Sequence, residues 1–232
     1  YVGNVSKYVD LYSIQVSDVA ITIANKISAE NNIGAFVGTF QKNSTITNCS
    51  VSNPSVTVSG EITTKACFIG GAIGRFAGSS AEGVSAISGL NVTSPTVTIN
   101  KVTYKDSYIG GVIGQVNSYS TVDNVSISDA ELTYNAADSP NVALNLGSFA
   151  GGILGAASQQ TSVTNVTISD GSDTDEEAAK VVIGTGSNNV KAVKAGLIGQ
   201  AATNVRLEKW SIGNTHVEIK GSLTDAASHI GG

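Results

Sequence analysis

Short alternations of apolar and polar residues, separated by glycine clusters, recur along the whole chain. The most regular unit is a glycine-apolar block, first Ile33-Gly34-Ala35-Phe36-Val37-Gly38 and then Ile69-Gly70-Gly71-Ala72-Ile73-Gly74. It returns as Ile109-Gly110-Gly111-Val112-Ile113-Gly114, as Ala150-Gly151-Gly152-Ile153-Leu154-Gly155 and, shortened, as Ala195-Gly196-Leu197-Ile198-Gly199. The closing glycines of these copies, Gly38, Gly74, Gly114, Gly155 and Gly199, are 36, 40, 41 and 44 residues apart. A fixed unit with loops of variable length therefore repeats along the chain.

A second block follows each glycine block. Its apolar positions fall into columns: Leu11, Ile46, Ile87, Val122, Val163 and Leu207; Ile14, Cys49, Leu90, Val125, Val166 and Trp210; and Val16, Val51, Val92, Ile127, Ile168 and Ile212. The last two columns lie two residues apart, the spacing of a strand with one buried face. The first lies three residues upstream, so the chain must bend between them. Asn48, Asn124 and Asn165 stand at that bend, and Asn tolerates the backbone angles a bend requires. A third, short alternating strand reads Val56-Thr57-Val58, Val97-Thr98-Ile99, Leu132-Thr133-Tyr134 and Val217-Glu218-Ile219. By this pattern the fourth repeat lacks it, and an acidic run from Asp170 to Glu177 stands in its place.

The expected fold is all-β: a parallel β-helix, a right-handed β-solenoid with about three short strands per repeat of 36–44 residues. Residues 1–232 form one repeat domain, with a partial repeat at 1–32, repeats starting near 33, 69, 109, 150 and 195, and a truncated copy at 230–232. A repeated hairpin plus strand in a sandwich, prism or propeller remains the alternative. The repeat glycines Gly34, Gly38, Gly70, Gly71, Gly74, Gly110, Gly111, Gly114, Gly151, Gly152, Gly155, Gly196 and Gly199 are read as structural, allowing sharp bends or close strand packing.

Composition agrees with strands and turns and narrows function. Charged residues are 13% and the net charge is −5, with Arg75 and Arg206 the two arginines. That excludes the basic patch a nucleic-acid partner needs. No apolar run has the length of a membrane span, so no insertion of this segment is expected. Methionine is absent and no signal peptide is visible, which predicts a segment of a longer, processed chain.

Candidate chemistry is sparse. His216 and His229 have no zinc-type spacing, and no Gly-x-Ser-x-Gly elbow is present. The run Asp170 to Glu177 does not match a calcium loop and reads as a solvated insertion. Asp123 and Glu208 occupy nearby columns but fall three repeats apart, so no acid pair converges. No metal, cofactor or catalytic residue is expected. Cys49 falls in a core column; a bridge to Cys67 depends on a Cα separation that spacing does not give. Tyr104 and Tyr119 form a candidate ligand-contact patch, since ring faces stack on sugar rings.

Gly-Gly-apolar-apolar-Gly followed by an Ile-x-Asn-Cys/Val strand resembles the GLUG motif of bacterial surface proteins. The resemblance covers the chain from about residue 11 onward; Ala35 and Ala195 depart from it by replacing glycines. It is similar to repeats of adhesins in gut Bacteroidetes and to non-catalytic regions of IgA-cleaving metallopeptidases. The resemblance implies an extracellular, cell-surface or secreted, non-enzymatic repeat domain. Its role would be adhesion or a stalk, with a host or matrix glycoprotein or polysaccharide as partner and further domains in a larger chain. A carbohydrate-binding module, or a glycan-degrading β-helix enzyme, is the competing expectation.

Overall fold

The computed structural model describes residues 2–62, 66–76, 78, 84–102, 107–135, 148–170, 178–184, 189–190, 193–220, 222–223 and 229–230. Among them there is no helix, and every strand pairing is parallel. Three principal sheets, of ten, seven and six strands among the described residues, run through the molecule. Each is built by pairing one strand of a repeat with its equivalent in the next.

The columns read from the sequence are the register of these sheets. In the second sheet Ile46, Ile87, Val122, Val163 and Leu207 lie side by side, as do Cys49, Leu90, Val125, Val166 and Trp210. Within the stack their side chains are buried to 4% exposure or less from Ile46 to Ile168. A one-residue slip would turn all of them to water, so alternation fixes the register. The bend between the first two columns is a left-handed residue in every rung: Ser13, Asn48, Gly89, Asn124, Asn165 and Lys209, with φ between 51° and 74°. Gly89 shows that the position selects a backbone angle and not an amide side chain. The recurrence of Asn-x-Ser/Thr at Asn48-Cys49-Ser50, Asn124-Val125-Ser126 and Asn165-Val166-Thr167 is thus a consequence of the fold.

The third sheet stacks Ala20–Ile23, Ser55–Ile62, Thr96–Val102, Ala130–Tyr134, Ala179–Ile183 and Thr215–Ile219. This corrects the reading of the fourth repeat. Its third strand is present as Ala179–Ile183, pairing Val181 with Leu132 and Val217. It begins only after residues 171–177, which lie outside the described residues.

The glycine blocks form the first sheet, with more strands than expected. In the first three repeats each block is two strands, such as Asn31–Gly34 and Val37–Phe40, or Cys67–Gly70 and Ile73–Phe76. With the second and third blocks this gives four strands per repeat there. In the fourth and fifth repeats the block runs as one strand, Ser148–Ala157 and Val193–Ala201. The two halves press backbone to backbone. A Cβ on Gly74 would lie 2.5 Å from the Ile33 nitrogen and 2.6 Å from the Gly38 oxygen. Only hydrogen fits between chains that close.

Two apolar cores result. The second half of each block (Val37, Phe40, Ile73, Phe76, Ile113, Val116) packs against the second sheet. The first half (Ile33, Ile69, Ile109) packs against Val56, Val58, Val97, Ile99, Leu132 and Tyr134 of the third sheet.

Candidate functional site

With the apolar columns turned inward, the outer faces carry rows of small polar groups. Gln15, Ser50, Asn91, Ser126, Thr167 and Ser211 form one row on the second sheet. Thr22, Thr57, Thr98 and Thr133 form another on the third. Neighbours in a row stand one strand spacing apart, about 4.8 Å. Side chains on these faces bridge rungs: the Thr45 hydroxyl donates to Asp10 (2.7 Å), the Asn53 amide to Asp18 (3.0 Å) and the Asn135 amide to Asn100 (2.9 Å).

Of the expected contact patch, Tyr104 lies outside the described residues. Tyr119 is half-buried at a corner with φ 60°, in another left-handed row with Tyr8, Asn43, Gln160 and Asn204. The aromatic pair that the structure does bring together is Phe68 and Tyr108, stacked with centroids 5.2 Å apart and ring planes within 1°. The Arg75 guanidinium covers Phe68 at 4.5 Å from the ring centroid and holds Glu30 at 3.2 Å. Close by in the same columns, Asn32 Oδ1, Arg75 Nε and Gln115 Oε1 are buried without a hydrogen-bond partner. This strip joins a stacked ring pair, a cation and unmet polar atoms on the outside of the glycine blocks. Phe68 itself is 5% exposed, so Tyr108 and Arg75 are the parts that face outward.

The acids are held as ions by local partners. Asp123 accepts hydrogen bonds from the Thr164 hydroxyl and the Asn165 amide, both at 2.6 Å, and these hold its carboxyl below the usual range. Arg206 donates to Glu208 at 2.6 Å, lowering the Glu208 carboxyl in the same sense. The register corrects their expected separation: Asp123, Thr164 and Glu208 are consecutive in one row, so two rungs separate the acids. Among the described residues no group of three or more His, Cys, Asp and Glu side chains comes together as a metal set. Asp170 is half-buried at the edge of the acidic run, whose other members are outside the described residues. His216 is exposed on its strand.

The glycines of the repeat are structural where the structure describes their surroundings. A Cβ on Gly34, Gly38, Gly70, Gly71, Gly110, Gly111, Gly114 or Gly155 would, like one on Gly74, collide with backbone, whereas one on Gly152 would meet the Val181 side chain.

One polar row inside the molecule has no counterpart in the sequence reading. Ser44, Ser85, Ser120 and Thr161 are 1% exposed or less. Ser44 donates to the Ser6 carbonyl (3.0 Å), Ser85 to Gln41 (3.1 Å) and Thr161 to Asn117 (3.1 Å). These three hydroxyls each satisfy a carbonyl where the chain turns from the first sheet to the second, where a buried orphan would be costly, whereas the equivalent Ser120 hydroxyl has no hydrogen-bond partner.

Both cysteines are free and buried, and they sit in different cores. Burial pushes the Cys67 thiol up to about 11. Native protein is expected to leave a thiol-reactive disulfide reagent unreacted, and to titrate two thiols per chain once unfolded. Rapid native labelling of either would show that its core opens.

A cavity of about 20 Å³ between the first and second sheets is walled by apolar residues such as Val112, Ile153 and Trp210, too small and too apolar for more than one water. Comparison with known families, curated proteins and solved structures gave no match.

Proposed function

We propose that this chain is a non-enzymatic, extracellular surface domain of the GLUG-repeat type, coiled as a right-handed β-solenoid and used for adhesion. The supporting observation is the partition of side chains. Apolar columns fill the inside, and rows rich in hydroxyl and amide groups at strand spacing line the outside, the row from Gln15 to Ser211 without a break. Such rows complement neutral, hydroxyl-rich partners, a host or matrix glycan or glycoprotein, through many weak contacts.

A stalk role is less economical. Six rungs spaced about 4.8 Å apart reach only about 24 Å, so each repeat of some 40 residues adds about 5 Å of length. The same residues build wide lateral faces, which suits a binding surface. Glycan cleavage is opposed by the acids. Asp123 and Glu208, two rungs apart, are about 10 Å from each other along the row, well beyond the spacing of a retaining carboxylate pair and at the outer limit of an inverting one. Both are also stabilised as carboxylates, which leaves neither as a general acid.

The test is binding to immobilised host and matrix glycans and glycoproteins, with the soluble products of the same polysaccharides assayed in parallel. Retention on a glycan class without release of new reducing ends is expected. Release of oligosaccharides would replace this reading with an enzyme, and failure to bind any surface would replace it with a spacer.

A further inference from the structure

Among the described residues four buried side-chain polar atoms lack a hydrogen-bond partner, and three of them, Asn32 Oδ1, Arg75 Nε and Gln115 Oε1, belong to one strip. The strip follows the line where the two halves of the glycine block meet. One of its columns runs Asn32, Phe68, Tyr108 and the other Thr39, Arg75, Gln115. The Arg75 guanidinium, lying over Phe68, joins the two. Folded chains leave few buried polar atoms unmet. Three within three consecutive rungs mark a place whose hydrogen-bonding capacity exceeds what its own residues use.

The groups around these atoms are held before any ligand arrives. Tyr108 is half-buried and stacked on Phe68. Arg75 is fixed by the Phe68 ring and by Glu30, to which Nη1 donates at 3.2 Å. Gln115 is 8% exposed. Its amide nitrogen donates to Ser158 Oγ at 3.5 Å, and that hydroxyl donates in turn to Asn117 Oδ1 at 3.4 Å. The chain of donors leaves the amide oxygen as the unmet end of Gln115.

We infer that this strip is the anchoring subsite for a neutral glycan segment lying along the stack, its hydroxyl groups meeting Asn32, Arg75 and Gln115 and a sugar ring set against Tyr108. The inference rests on the adhesion reading for the kind of partner, and adds where the partner is held and which sugars fit. The unmet set is two acceptors and one donor. A hydroxyl donates and accepts, so sugar hydroxyls can serve all three. A carboxylate only accepts and would leave both amide oxygens unmet, and Glu30 already supplies Arg75 with an anion. The three rungs span about 10 Å, which suits a short run of sugar units. The unmet atoms are covered in this conformation, and side-chain rotations of the kind common on binding bring them to the surface.

Calorimetric titration of the whole chain tests this, with neutral oligomers of N-acetyllactosamine, mannose and glucose as probes and hyaluronan oligomers as the acidic probe. A neutral probe should bind with an affinity that does not change between low and high salt. Tyr108→Ala and Gln115→Leu should each weaken that binding by at least about tenfold. Far-UV circular dichroism and the urea midpoint should show both variants folded; Tyr108 is half-buried, so its variant tests the site even where the Gln115 change disturbs the fold. Full affinity in the folded Tyr108 variant overturns the subsite and leaves the adhesion reading standing. Salt-sensitive binding of hyaluronan alone overturns the assignment to neutral sugars. A parent chain that binds none of the probes overturns this inference, and one that also binds no immobilised glycan or glycoprotein overturns the adhesion reading with it.

Discussion

Gly74→Ala is expected to lower stability by about 3 kcal/mol or more, while Gly3→Ala leaves it within about 0.5 kcal/mol. Both glycines occupy the same place in the first sheet, two rungs apart: Gly3 follows Val2, whose register partners are Val37 and Ile73, and Gly74 follows Ile73. What differs is the neighbour. A methyl on Gly74 meets the Ile33 nitrogen at 2.5 Å, the Gly38 oxygen at 2.6 Å and the Asn32 carbonyl carbon at 2.9 Å. Gly38 lies in a strand paired on both sides, and Asn32 and Ile33 in one paired with Cys67–Gly70, so none can withdraw without breaking ladder hydrogen bonds. A methyl on Gly3 meets nothing within 4 Å. Urea midpoints at unchanged slope would measure both. Equal, small shifts would mean that the halves of the glycine block do not touch, and the two-core arrangement would fall with them.

That contrast also marks what the sequence could disclose. The columns were legible because strand alternation has a period of two and the burial of one face enforces it: Val51, Val92, Ile127 and Ile168 needed no coordinates. So was the bend at Asn48, Asn124 and Asn165. The splitting of the glycine block was not, since glycine carries no polarity and a run such as Ile69-Gly70-Gly71-Ala72-Ile73 reads alike as one strand or two. Ala179–Ile183 escaped notice for a related reason. Val181, Val182 and Ile183 are all apolar, so the alternation that identified the other third strands is missing, and an insertion moves the strand out of frame.

The site was less legible than the fold. Tyr104 and Tyr119 were singled out for their proximity in sequence, but lateral contact in a stack joins residues a whole repeat apart. Phe68 and Tyr108 each precede an Ile-Gly pair by one position, and that shared offset is a signal an alignment of the repeats contains. Ser44, Ser85, Ser120 and Thr161 each stand two residues before the first apolar column. The constant offset marks a role, whereas hydroxyl residues in an outward row need only be small and polar. Arg75 over Phe68 had no such signal, because its column reads Asn4, Thr39, Arg75, Gln115 without a common chemistry.

Phe76→Ala is expected to cost about 3–5 kcal/mol, a large part of the stability of an ordinary domain. Phe76 is fully buried and stacks on Phe40, with ring centroids 5.0 Å apart and planes inclined by 16°. Its row runs Val5, Phe40, Phe76, Val116, Ala157, so the two rings are the largest side chains of that row. The hole cannot close along the stack, because hydrogen bonding fixes the rung spacing, and Val116 is too short to reach across it. Contacts in such an array extend only to adjacent rungs, so the loss is local before it is global. Amides of Val37–Phe40 and Thr45–Ser52, on the side of the shorter remaining stack, should lose hydrogen-exchange protection first. Those of Ser162–Ser169, two rungs beyond the substitution, should keep theirs under the same conditions. Uniform loss of protection across both segments would mean that the rungs unfold as one cooperative unit, and that coupling reaches further than side-chain contact between neighbours.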